Sequence, residues 1–366
     1  MSNAHKARPP WTNRYKQNWD EAFDNMMAWW CKGSNGRPVV LTPVRRLSAP
    51  AFEPSADPGT NELRDIDENY LFERNLHEVA SNIYTAESVP AVRTGFASSI
   101  GMLAGMAGAN IKYDVNTAWV EEIENIYSSQ LPEFSCEYLP YKTTLKLMHK
   151  HARYYGYDCI IGSDAMMDPI TILSMLRGVE KLIYDLYDRP EDVKRWLDRL
   201  SDIRYKIADG YRKAREEYGR EEEINWTGVW APGEMDCLEC DFSTMISPSA
   251  FNELVMPEVE KEASYYKYCL WHLDGLAEVK HLESICTVGN IYAIQWVPDK
   301  QDSPLNYIDI FRKIQKLGRS LLINCPSTYE TVELTRILGK DGLAVTVNDI
   351  NSEADMEILL KRLKEL

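Results

Sequence analysis

His272 and Asp274, two positions apart in Tyr268-Cys269-Leu270-Trp271-His272-Leu273-Asp274-Gly275, are the residues whose types and spacing point most directly to chemistry. They stand where an apolar, β-prone run gives way to a loop, and residues two apart on a strand share a face. An imidazole and a carboxylate opening into one space suit zinc ligation or proton transfer. Leu270 shares that face, whereas Trp271 and Leu273 point toward the opposite layer. The bland alternative is a hydrogen-bonded pair that ties a loop.

Other reactive side chains close neighbouring runs. Asp164, after Ile160-Ile161-Gly162-Ser163, is either a second carboxylate in the site or a cap for the helix entered through Asp168-Pro169. Cys325 ends Leu321-Leu322-Ile323-Asn324 and offers a third metal ligand beside His272 and Asp274, or a buried packing thiol. Gln295 can hydrogen-bond a substrate, and Trp296 either lines the pocket or packs outside it. Arg45, Arg46 and Arg93 offer guanidiniums to an anionic substrate group. Trp226 and Trp230 can stack on a ring or fill the core, and Trp230 is expected to contact the substrate. Cys237-Leu238-Glu239-Cys240 has CxxC spacing but no second CxxC, a weak signal for zinc or redox chemistry. His5, His77, His149, His151 and His281 have no ligand partner close in sequence and read as surface or packing residues.

The elements that must position these residues are short and regular. Eight β-prone runs, Pro38 to Thr42, Val89 to Arg93, Cys159 to Gly162, Ile224 to Val229, Tyr268 to His272, Ile291 to Val297, Ser320 to Asn324 and Leu343 to Val347, alternate with helical segments. That pattern predicts a (β/α)8 TIM barrel, with an open doubly wound sheet as the competitor. Pro190 opens a helix with the stripe Val193, Trp196, Leu197, Leu200, Ile203 and Ile207. Ser327-Thr328-Tyr329-Glu330 and Ser352-Glu353-Ala354-Asp355 read as capping boxes, Ser247-Pro248 as a helix start and Leu317-Gly318 as a helix end. Residues 1–36, with Trp11, Trp19, Trp29 and Trp30, read as an N-terminal helical extension packed on a barrel of residues 37–366. Residues 48–65 read as a long loop on the catalytic face.

Composition sets the limits. At 366 residues and 45% hydrophobic content the chain can bury a large core. With 41 Lys and Arg against 56 Asp and Glu, the net charge of -15 opposes nucleic acid and anionic membranes as partners and favours a small-molecule substrate. Eight dispersed cysteines and the absence of an apolar leader or spanning run suggest a reduced, cytoplasmic protein, with a homodimer as a compatible assembly.

Leu176-Arg177-Gly178-Val179-Glu180 with Arg189-Pro190-Glu191-Asp192-Val193, and Asp241 with Ser247-Pro248-Ser249-Ala250-Phe251 through Pro257, resemble segments of the uroporphyrinogen decarboxylase superfamily. His272-Leu273-Asp274-Gly275 falls where the corrinoid-linked methyltransferases of that superfamily carry His-x-Cys-Gly. The resemblance implies the barrel and one of two chemistries, cofactor-free decarboxylation of porphyrinogen acetates or zinc-assisted methyl transfer involving a corrinoid protein or a thiol. It also implies an acidic pocket residue near Asp241, preferred here over Cys237 and Cys240. Thr42-Pro43-Val44-Arg45-Arg46-Leu47 stands where the decarboxylases have Arg-Gln-Ala-Gly-Arg, and Asp274 where the methyltransferases have a zinc-binding cysteine. A carboxylate is a harder ligand than a thiolate and favours activation of an oxygen. The expectation is a methyltransferase-like enzyme acting on a small methylated or methoxylated substrate, with Zn and a corrinoid on a partner protein. His272, Asp274, Asp241 and Asp164 are its expected catalytic residues. The rivals are a decarboxylase or lyase using general acid and base without metal, and a non-catalytic ligand-binding barrel.

Overall fold

The apolar runs of the C-terminal half are too short for helices, are bounded by turn residues, and assemble into a parallel sheet. In the computed structural model, residues 8–93, 96–115, 117–163, 166–300 and 302–366 are described. The principal strands are β1 (Val39–Val40), β2 (Ala91–Val92), β3 (Ile160–Ile161), β4 (Met235–Leu238), β5 (Tyr268–Asp274), β6 (Ile291–Val297), β7 (Ser320–Cys325) and β8 (Leu343–Val347). Six of them form one sheet in the order β1-β8-β7-β6-β5-β4, every neighbour parallel. β2 and β3 pair separately, also in parallel. The class is α/β, as the alternation of runs predicts. Among the described residues no ladder joins β1 to β2 or β3 to β4, so hydrogen bonds do not close the eight strands into a ring.

The fourth strand is displaced from its expected place. Ile224 to Val229 is a tight hairpin rather than a sheet strand: Glu223–Ile224 pairs antiparallel with Trp230–Ala231. Asn225 makes the turn, its side chain accepting from the Thr227 amide at 3.1 Å and hydroxyl at 2.6 Å, while Gly228 takes φ 83°. The strand that joins β5 is Met235–Leu238, which carries Cys237. Residues 48–65 are irregular up to a short helix, Asn61–Ile66.

The helices follow their sequence signals. α1 (Trp19–Trp30) lies in the N-terminal segment, and Asp168 caps α2 (Pro169–Arg177). α3 (Pro190–Glu216) buries Val193, Trp196, Leu200, Ile203 and Ile207, with Leu197 half-buried. α4 (Met256–Tyr265) follows the short helix capped by Ser247. Ser327 and Ser352 cap α5 (Thr328–Leu338) and α6 (Glu353–Lys364) by accepting from the Glu330 amide at 3.3 Å and the Asp355 amide at 3.1 Å. No described helix is long and apolar enough to cross a membrane.

The sheet has two different faces. Cys269, Trp271, Leu273, Ile294, Trp296, Leu321 and Ile323 pack in the larger core with the helices. Leu270, Ala293, Leu322 and Ala344 point the other way, into a second core built with Trp19, Trp29, Trp30 and Trp230. The N-terminal segment therefore packs on the body of the protein. The Trp29 indole donates to the Leu321 carbonyl at 3.1 Å and that of Trp30 to the Trp230 carbonyl at 3.1 Å.

Glu87 pins this end of the molecule. Its fully buried carboxylate takes two hydrogen bonds from Arg37, at 2.8 and 2.7 Å, one from the Val40 amide at 2.8 Å and one from Asn25 at 2.7 Å. Its own carbonyl accepts from the Trp230 indole at 2.9 Å. Breaking a buried ion pair leaves the other charge uncompensated, so Glu87→Gln is expected to cost about 3–5 kcal/mol. Urea unfolding should show a lower midpoint with an unchanged slope; an unaltered midpoint would contradict this role.

Candidate functional site

Parallel strands bring their C-terminal ends to one edge, where side chains of the Leu270 face emerge beyond the hydrophobic layer. His272 is the next residue of that parity on β5 and stands in register with Gln295 on β6. Its Nδ1 lies 2.8 Å from Gln295 Oε1. An amide oxygen only accepts, so Nδ1 carries the proton and the Nε2 lone pair is left for a cation or a proton. The Trp226 ring meets the imidazole edge to face, with centroids 5.0 Å apart. Arg93 holds the turn bearing Trp226 by donating to the Asn225 carbonyl at 3.0 Å.

Two carboxylates converge on that imidazole. Glu239 and Asp241, just beyond the end of β4, each place a ligand atom so that these and one from His272 all lie within 4.8 Å of one another. Asp274 stands beside this group and is not one of the three. It is two residues further along β5 than His272, and a strand advances about 6–7 Å over that interval. Its charge still reaches Asp241, whose carboxyl is raised by burial, lowered by His272 and raised again by Asp274. Burial pushes Glu239 well up, and the charges of Asp241, Asp168 and Asp236 reinforce the shift.

Below Asp274, Glu278 orders the loop. Its buried carboxyl accepts from the Asp274 amide at 3.0 Å and the Ser243 hydroxyl at 2.8 Å, tying the end of β5 to the turn that carries Asp241. Burial pushes it up to about 8. His281 stacks on Phe251 at 4.2 Å and donates to the Ser243 carbonyl at 3.0 Å, completing the support. Gly275 is required where it stands: its φ is 79°, and an added Cβ would lie 2.1 Å from Asp299 Oδ1.

The remaining predicted residues divide clearly. Gln295 and Asp241 are brought to His272, and Arg93 acts at one remove through the Trp226 turn. Cys325 has the parity of Leu321 and Ile323, so it is buried on the helix-covered face near Thr331 of α5, away from the His272 face; burial pushes its thiol up to about 12. Trp296 is likewise on the helix side, against Tyr307 at 5.0 Å, because alternation sends Gln295 and Trp296 to opposite faces. Trp230 is fully buried at the other end of the molecule, edge-on to Trp11 at 5.5 Å, and cannot be a substrate contact. Arg45 and Arg46 are exposed, engaged with Glu78 at 3.2 Å and the Ala80 carbonyl at 3.1 Å. Asp164 lies outside the described residues. Cys237 and Cys240 are both buried and pack in different cores, so the CxxC spacing makes no dithiol site.

Glu239 and Glu278 are the residues that sequence reasoning missed. Glu239 was hidden inside the CxxC motif, yet it stands two residues before Asp241, and that spacing is the signal that could have found it. Asn324 and Thr346, bonded at 3.0 Å, are further polar groups at the same strand ends. An imidazole with a fixed tautomer between two carboxylates can hold a divalent cation or relay a proton.

No protein-family model matches this chain, and no curated protein matches it in sequence. Solved structures do share its fold. One, a methyltransferase from Methanosarcina mazei, superposes with a TM-score of 0.60 over 93% of this chain and 97% of that one, at 13% identity. At that identity the likeness establishes the arrangement of elements.

The acid network has a consequence for stability. Glu278 holds its proton up to about 8 in the folded protein, against 4.5 for an ordinary glutamate. The unfolded chain releases that proton first, so this group makes stability fall as pH rises between those values. Glu278→Gln cannot ionise and still presents an acceptor to the Asp274 amide. Its unfolding midpoint relative to wild type should climb between about pH 5 and about pH 8; a pH-independent difference would show that Glu278 is already ionised.

Proposed function

We propose that this chain is a methyltransferase of the uroporphyrinogen decarboxylase superfamily, its eight strands arranged as a (β/α)8 barrel. It moves a methyl group from a small methylated or methoxylated compound to a corrinoid carried by a separate protein. The observation that carries the reading is the convergence of His272, Asp241 and Glu239 within 4.8 Å at the strand ends, with His272 Nδ1 held by Gln295. The overall likeness to a structure described as a methyltransferase supports it, as does the position of His272-Leu273-Asp274-Gly275.

One nitrogen and two carboxylate oxygens fit zinc or a comparable divalent cation, which would act as a Lewis acid on the heteroatom that loses its methyl group. His272 Nε2, Asp241 and Glu239 are the residues that would hold it. Gln295 orients the imidazole, the partnership that metal-bound histidines ordinarily have. Asp274 adds to the negative field around Asp241, and Glu278, pushed up to about 8, holds a proton beneath the loop that carries them. Trp226 covers one side of His272.

Glu278, raised to about 8, also favours a second reading, a lyase or decarboxylase using a neutral carboxylic acid without metal. Zinc-loaded protein should retain close to one equivalent after gel filtration and methylate cob(I)alamin, seen by its absorbance change, with at least one methoxylated or methylated donor. His272→Ala and Asp241→Asn should lose both properties. Gln295→Leu should weaken metal retention about 10- to 100-fold. A metal-free protein that transforms a carboxylated substrate would establish the second reading instead.

A further inference from the structure

A pocket of about 540 Å³ lies between the N-terminal part of α3, the helical segment that runs into α4, and the start of α2. It is distinct from the edge where His272 emerges, but the two share a wall, because Glu239 belongs to both. Its lining has two characters. Ile170, Val193, Leu197, Val255 and Val259 supply apolar surface. The charged part is lopsided: seven carboxylic residues stand against Lys194 and Lys261.

The acidic excess alone would mean little on a solvated surface. Two carboxyls of the wall, however, the buried Asp168 and the half-buried Glu239, have no salt bridge among the described residues. Asp168 is 6% exposed; its Oδ1 accepts from the Ile170 amide at 3.1 Å and the Thr171 amide at 3.0 Å, while its buried Oδ2 accepts no hydrogen bond. Glu239, its neighbour in the wall, also accepts none among the described residues. The other deep acid, Glu262, is already paired with Arg204, and Glu258 accepts from Tyr205 at 2.9 Å. An unpartnered buried carboxylate oxygen is costly, and the cost is removed by a positively charged donor. The apolar walls disfavour a hydrated metal ion and suit an alkyl chain.

We propose that this pocket binds a small protonated alkylamine, its ammonium seated against the Asp168 carboxyl close to Glu239 and its chain lying against Ile170, Val193, Leu197 and Val255. The proposal does not depend on the metal or on methyl transfer, since the binding is read on metal-free protein.

Calorimetric titration of the metal-free full-length chain with n-butylammonium, 1-butanol and butyrate provides the test. Saturable binding of n-butylammonium, at least about tenfold tighter than of the isosteric alcohol and with none of butyrate, is expected from a charge-assisted hydrogen bond. Asp168→Asn keeps the cap, because an amide oxygen can accept from Ile170 and Thr171, and should remove the preference for the ammonium. Leu197→Trp, which fills the pocket from α3, should abolish binding of amine and alcohol alike. Equal affinity for ammonium and alcohol, no saturable binding, or ammonium binding that survives both substitutions would each overturn the proposal. The comparison of ligands on the wild-type protein decides the matter even where a variant does not fold.

Discussion

The buried Glu87 carboxylate is the contact on which the rest of the molecule hangs. It binds the Arg37 guanidinium, the amide of β1 at Val40 and the side chain of Asn25 on α1, while its main chain bonds to Val40 and Trp230. Four separate pieces of chain meet there: α1, β1, the approach to β2, and the hairpin before β4. Removing two charges from water is expensive, and such a pair is tolerated because nearly every acceptor position on the carboxylate is filled. The indoles of Trp29 and Trp30 then close the same end by hydrogen bonds to main-chain carbonyls.

With that end pinned, the opposite edge of the strands can carry groups that do not favour folding. Glu239, Asp241, Asp274 and Glu278 crowd together there, and burial and mutual repulsion raise three of them. Asp168 belongs to the same field, pushed up to about 6 chiefly by burial. Such a collection costs stability unless protons or cations neutralise it. The same excess of negative potential underlies both proposals, a divalent cation between His272, Asp241 and Glu239 and an ammonium beside Asp168. Rigid neighbours keep the arrangement from relaxing: Gln295 fixes the imidazole, Glu278 fixes the loop after β5, and Arg93 fixes the turn that places Trp226.

Much of this was legible in the residues themselves. The strands from Tyr268 onward are largely apolar runs with clear ends, and they appear as read, within a residue or two. The caps at Ser247, Ser327 and Ser352 and the proline at 190 act through neighbours a few positions away, so their effect is visible locally. His272 was found because alternation along a strand is a local property. The same alternation places Trp296 and Cys325 on the far face, once the strand on which each is counted is known. The fourth strand was misplaced because Ile224, Trp226 and Val229 satisfy β composition while Asn225 and Gly228 turn the chain.

What the sequence by itself determined is the class of fold, the helix punctuation and the presence of an imidazole at a strand end. Tertiary structure decided which carboxylates join it. Glu239 and Asp241 reach His272 only because β4 is Met235–Leu238 and pairs in register with β5, whereas Asp274, nearer in sequence, lies one step too far along its own strand. The reason is physical: alternation and capping are set by bonds within a few residues, but depth along a strand and the identity of its neighbours are set by the packing of distant segments.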